Sequence, residues 1–199
     1  MKLRHSKPSP YVRKVLATAI ETGLRDRIDV VPTDPWAPDT DLPADNPLGK
    51  VPALTLEDGA VLFDSPVICE YLDGLHDGPK LFPPAGPARW RALRLLALGD
   101  GISDAGVSRI LDSRRPQEQQ SAAWQERQRL AIARACDALE ADAESLDGPV
   151  TIGTLAVACA LGYLDLRWDR DKWRDGRPRL AAWFETYARR PSMLDTAPR

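Results

Sequence analysis

The chain has 199 residues, 43% of them apolar and 28% charged, the composition of an ordinary globular protein with room for one large or two small domains. Its 27 Lys and Arg against 29 Asp and Glu leave a formal charge of -2, which excludes a general affinity for nucleic acid or an anionic membrane surface. No apolar run approaches the ~18 residues of a membrane span, the start "MKLRHSKPSP" turns polar too early for a secretory signal, and Cys69, Cys136 and Cys159 show no metal or C-x-x-C spacing.

Residues 2–5 read as a short strand. In "SPYVRKVLATAIETGL", Ser9 can cap a helix, Pro10 suits its first position, and Val12, Val15, Leu16, Ala19 and Ile20 form one apolar stripe that Gly23 ends. "RIDVVPT" (27–33) predicts a second strand, and the Pro- and Asp-rich residues 34–49 predict a loop. In "VPALTLEDGAVLF", Asp58-Gly59 between apolar runs predicts a hairpin with a two-residue turn. Val67, Ile68, Tyr71, Leu72 and Leu75 then share a helical face, with Ser65 at the expected cap and Pro66 as the first helical residue.

The first 77 residues thus predict a βαβ unit followed by ββα, an α/β sheet with helices on its faces. Residues 78–86 read as a linker around the apolar anchor Leu81-Phe82, and residues 87–199 as all-helical. Helical periodicity runs over 87–112, 118–145, 151–168 and 178–189. "TIGTLAVACALGYLDLRW" is apolar almost all round, as a central buried helix of a bundle should be. Each cysteine falls in an apolar helical stretch, so the thiols are expected to be buried and free, in keeping with a reducing cytoplasm.

Pro52 stands at the mouth of the third strand. A trans proline opening an edge strand is the ordinary reading. A cis Val51-Pro52 bond would instead bend the chain and leave the Val51 main chain free to pair with an extended peptide. Asp64-Ser65-Pro66 at a helix start offers N–H groups to a carboxylate and Asp64 to an ammonium, so the corner suits a zwitterionic amino-acid end. The plain alternative there is a capped helix beside a solvated aspartate. Ser9 lies at the other strand-to-helix junction, where it either caps the helix or donates to a ligand atom.

"NPLGKVPAL", "FDSPVICEYLD" and the helical second half together resemble the cytosolic glutathione S-transferases, and the likeness spans essentially the whole chain. It looks closest to small bacterial-type members with a serine in the active site. The resemblance implies a thioredoxin-like first domain, glutathione as co-substrate, no metal, a small electrophile as second substrate, a homodimer and a cytoplasmic location. It implies that Lys50, Val51, Pro52, Asp64 and Ser65 hold glutathione and that Ser9 contacts the sulfur. Ser6 and Tyr11 remain alternatives for that contact. Many relatives carry Glu in place of Asp64, and the family's core helix usually opens on a Ser/Thr-x-x-Asp box where this chain has Thr151 and Thr154, so a weaker helix start is expected.

On the first long helix of the second half, Asp100, Asp104 and Ser108 recur every four residues and share a face. Asp104, Ser108 and Tyr11 are the expected electrophile pocket, with a solvated face or a dimer contact as the alternative. His5, closing the first strand, reads as a packed structural residue rather than a base. Two other functions stay open beside conjugation: a non-catalytic glutathione-binding module, and glutathione-dependent thiol-disulfide exchange, which usually wants a cysteine where Ser9 stands.

Overall fold

The computed structural model describes residues 1–198. Strand β1 (Lys2–His5) leads into helix α1 (Pro10–Glu21), and β2 (Asp29–Pro32) returns parallel to β1, with Leu3 opposite Val30. A short helix α2 (Leu42–Asp45) interrupts the expected loop, tied down by Arg4, which donates to Asp41 and Asp45. Strands β3 (Leu54–Thr55) and β4 (Val61–Leu62) complete a four-stranded sheet of order β2-β1-β3-β4, and helix α3 (Ser65–Asp73) packs against α1. This is a thioredoxin-like βαβ–ββα arrangement.

The hairpin differs from expectation. Leu56 N–H donates to the Ala60 carbonyl at 2.8 Å, so the loop is the three residues Glu57, Asp58 and Gly59. Gly59 carries the positive φ of +86° that such a loop needs at its end. The start of α3 also differs. Asp64 is the cap and Ser65 the first helical residue, with the Asp64 carboxylate accepting from the Ser65 N–H.

Residues 74–85 form no regular element, yet they are anchored. The Asp73 carboxylate accepts from the N–H groups of Leu81 (2.8 Å) and Phe82 (2.9 Å), and the Leu81 carbonyl accepts from Ile152 N–H at 2.9 Å. Both apolar side chains are buried.

The second half is helical: α4 (Gly86–Ser113), α5 (Ala122–Ala141), α6 (Ile152–Trp168), α7 (Pro178–Tyr187) and a short α8 (Pro191–Asp195) that the sequence periodicity does not reveal. Helix α5 stops at Ala141, and Ala143–Leu146 form a separate 3-10 turn. Helix α6 is buried along most of its length, and α4 crosses it closely. Only glycine fits at that crossing: a Cβ on Gly153 would come within 2.5 Å of the Ala92 carbonyl, and one on Gly99 within 2.6 Å of the Ala156 backbone. The start of α6 is better built than expected. Thr154 N–H donates to Thr151 Oγ1 at 3.3 Å, and Thr151 N–H donates to Thr154 Oγ1 at 2.9 Å. A threonine hydroxyl thus performs the reciprocal task usually given to a carboxylate.

Candidate functional site

Three chain ends meet on one side of the first domain. The first precedes β3. Buried Asn46 shapes it: its side-chain carbonyl accepts from Leu48 N–H at 3.0 Å, its Nδ2 donates to the Lys50 carbonyl at 2.8 Å, and its own carbonyl accepts from Gly49 N–H. Gly49 takes a φ of +61° to close the turn. The chain then reaches a cis Val51-Pro52 bond. Among the described residues, neither the N–H nor the C=O of Val51 has a hydrogen-bond partner, whereas Ala53 already pairs with Arg4 N–H of β1. Pro52 is buried and the Lys50 side chain is exposed.

The second end is the tip of α3. Asp64 is exposed. Ser65 is fully buried, and its hydroxyl is an enclosed polar group with no partner among the described residues. Such orphans are uncommon in folded chains, because an unmade buried hydrogen bond costs about 1–3 kcal/mol. Pro66 has no N–H to offer, and Val67 N–H has no partner among the described residues.

The third end is the tip of α1. The Ser9 hydroxyl accepts from Val12 N–H at 3.3 Å and caps the helix. Ser9 N–H donates to the Ser6 carbonyl at 3.0 Å, so Ser6 serves the turn through its backbone. Tyr11 N–H has no partner among the described residues. The Tyr11 hydroxyl is committed elsewhere: it donates to the Asp104 carboxylate, and burial together with that bond pushes its pKa far above the usual range. His5 is half-buried at the end of β1, and burial together with Lys7 and Arg25 lowers its pKa, so it is neutral at pH 7.

The acidic face of α4 meets α1, although Asp104 stays exposed to solvent. Lys14, only 1% exposed, donates to both carboxylate oxygens of Asp100 at 2.5 and 2.7 Å. Burial raises the Asp100 pKa against the pull of Lys14, and the charge on Asp64 adds to the rise. Asp104 receives Tyr11, and Ser108, one turn on, is half-buried with no side-chain hydrogen bond among the described residues. Asp100 and Asp104 therefore bind the second half of the chain to α1. A narrow cleft under Ser9 is lined by Lys7, Arg13, Cys159 and Tyr163. A broader groove lined by Leu16, Ile20 and Arg25 lies at the opposite end of α1, about 20 Å away, outside this arrangement.

No thiol in the chain is poised to react. Cys69, Cys136 and Cys159 are free and buried. Burial pushes Cys69 up to about 12 and Cys136 up to about 11, and raises Cys159 as well. No group of three or more His, Cys, Asp or Glu side chains suited to a metal occurs among the described residues, and no helix there is long and apolar enough to cross a membrane.

A family model for the glutathione S-transferase N-terminal domain matches residues 8–75, and one for the C-terminal domain matches residues 122–186. The chain belongs to the glutathione S-transferase family. The first of these matches contains all three chain ends described above. The uncharacterized GST-like protein YibF of Escherichia coli K12 is 37% identical over 201 residues, covering 100% of this chain and 98% of its own. A glutathione transferase family member from Pseudomonas fluorescens Pf-5, solved with bound glutathione, is 47% identical with a TM-score of 0.95 over 100% of this chain and 98% of its own. A glutathione S-transferase from Methylobacillus flagellatus KT, also with glutathione bound, is 36% identical with a TM-score of 0.93 over 100% of this chain and 99% of its own.

Sequence reasoning missed two residues of this arrangement. Asn46 was legible in part, as an Asn-Pro turn former. Lys14 was not, since a lysine inside an amphipathic helix reads as solvated.

Proposed function

We propose that the protein is a glutathione transferase that joins the glutathione thiolate to small electrophiles. The unpaired N–H and C=O of Val51 carry the reading, because they present one short strand's worth of main chain at the sheet edge. The cysteinyl part of glutathione pairs there, beside Pro52 and past Lys50. The γ-glutamyl carboxylate takes the Ser65 hydroxyl and the free Val67 N–H at the α3 tip, which satisfies the orphaned group. The γ-glutamyl ammonium faces Asp64. Bound glutathione in relatives of 36–47% identity supports glutathione as the ligand.

Ser9 then meets the sulfur. Its oxygen accepts from Val12 N–H and keeps its own proton to donate. A free thiol with pKa about 8.5 is a few per cent thiolate at pH 7. Lowering it by about two units requires ~2.7 kcal/mol of preference for the charged form. A hydroxyl donor, the free Tyr11 N–H and the α1 dipole are of that size together. The thiolate attacks an electrophile held beside it, a proximity effect. The electrophile stands between the α1 tip and α4, near Tyr11, Asp104 and Ser108.

Retention on glutathione-agarose together with turnover of chlorodinitrobenzene tests the proposal. Retention with disulfide turnover alone would point to thiol exchange, and no retention to a module of another kind. The Pseudomonas relative was also solved with bound S-(propanoic acid)-glutathione, at 45% identity and a TM-score of 0.93, so a carboxylate-bearing arm on the sulfur is a natural product to look for.

A further inference from the structure

The groove at the far end of α1 takes no part in the arrangement around Ser9. Its volume is about 440 Å³, and small-molecule sites run from about 300 to 1,000 Å³. Leu16 and Ile20 give it apolar side chains. Asp26, in the 3-10 turn Arg25–Arg27 that follows α1, and Asp195, the last residue of α8, give it two carboxylates. Both are exposed, and neither has an ion-pair or hydrogen-bond partner among the described residues. The cations near them in the chain are engaged elsewhere: Arg27 lies 3.7 Å from Glu57, and Arg190 pairs with Glu21 at 2.9 Å. Helix α1 adds to the negative charge. Its C-terminal end lies here, its last turn carries no basic residue, and the carbonyls of Glu21 and Thr22 accept no hydrogen bond among the described residues. The negative pole of a 12-residue helix is thus uncompensated beside the groove. Among the described residues that line it, Arg25 is the one cation, and its Nη1 donates to the Ile28 carbonyl at 2.8 Å.

We infer that this groove is a second ligand site and that it takes a small amphipathic amine, a single ammonium group on an apolar body. The ammonium is drawn to Asp26, Asp195 and the carbonyl end of α1. The apolar body covers Leu16 and Ile20 and leaves water as it does so. Two carboxylates and a helix pole outweigh one guanidinium that is already committed, so a carboxylate or phosphate ligand is repelled. The site stands apart from the glutathione cleft and holds whether or not the protein is a transferase.

Calorimetric titration of the full chain with 1-naphthylmethylamine, 1-naphthylmethanol and 1-naphthoate varies the charge on one apolar body. The amine is expected to bind about tenfold more tightly than the alcohol, and the carboxylate more weakly than either. Added salt narrows the gap between amine and alcohol. Asp26→Asn and Asp195→Asn each weaken the amine about threefold and leave the alcohol unchanged, while Arg25→Gln strengthens the amine by a similar factor. Both Asn variants keep the melting temperature of the unaltered chain, since neither carboxylate has a partner in the fold. Glutathione leaves the amine affinity unchanged. An amine that binds no better than the alcohol, or that is indifferent to both Asn variants, would overturn the inference. So would displacement of the amine by glutathione, which would put it in the other cleft. Tighter binding of trilysine than of the amine would overturn it too, by making the groove a contact for a basic segment of another protein.

Discussion

Ser9 uses one oxygen in two ways. As acceptor it caps α1 through Val12 N–H; as donor it is free to hold a thiolate. Ser9→Ala therefore has two separable effects. Loss of the cap lowers stability by about 1 kcal/mol. Loss of the donor lowers kcat roughly 10- to 100-fold with little change in glutathione Kd. Steady-state kinetics beside calorimetry reads both, and equal losses in rate and affinity would reduce Ser9 to a positioning group. Ser65 behaves in the opposite sense. Its hydroxyl is buried without a partner, so Ser65→Ala leaves the ligand-free melting temperature unchanged or slightly higher. The same variant binds glutathione about tenfold more weakly, and the glutathione-induced rise in melting temperature shrinks accordingly. A full-sized rise in the variant would take Ser65 out of the site.

Helix α1 is the element that joins the two halves. Each turn carries a contact: Tyr11 to Asp104, Lys14 to Asp100, Arg13 to the Met193 carbonyl at 3.0 Å, and Glu21 to Arg190 and Ser192 of the α8 region. Its apolar stripe faces α3 and the sheet core, while its polar side is spent on the helical half. That is why Lys14 and Arg13 are buried in a helix whose sequence suggests they should be wet. Breaking such a pair by removing one partner is strongly destabilising, because it strands the other charge. Glu21 gives the pH signature. Burial pushes its carboxyl up, but the hydrogen bonds from Arg190 and Ser192 outweigh that and hold it below the usual range. A carboxylate with a depressed folded-state pKa contributes stability above its unfolded value and loses it as the pH falls through the folded one. Glu21→Gln is thus expected to cost about 1 kcal/mol at pH 7, with the difference from the unaltered chain shrinking as the pH falls below the ordinary glutamate range and through the depressed folded-state pKa. Denaturant titrations in a series from pH 7 downward measure it; a gap that stays constant over the whole acid range would contradict the assignment.

At the scale of the whole molecule, the family resemblance leads us to expect a homodimer. Trp90 at the start of α4 and Val67 on α3 are large apolar side chains left 68% and 48% exposed. Sedimentation at about twice the 22.0 kDa chain mass is the expected outcome, and a monomer at micromolar concentration would contradict it.

Much of this protein was written locally. Strand and helix periodicities, the cap at Ser9 and the breaker at Gly23 act over a few residues, where side-chain sterics and near-neighbour hydrogen bonds decide, so the sequence alone determined them. The motifs around Val51 and Asp64 announced the family for the same reason. What tertiary structure alone decided were choices between partners distant in the chain. Whether Asp100 faces water or Lys14 depends on a residue 86 positions away. Asp64 rather than Ser65 became the α3 cap because the sheet fixed the angle at which β4 delivers the chain. Helix α8 is five residues long, too short to hold itself together, and exists because Glu21 and Arg13 receive it.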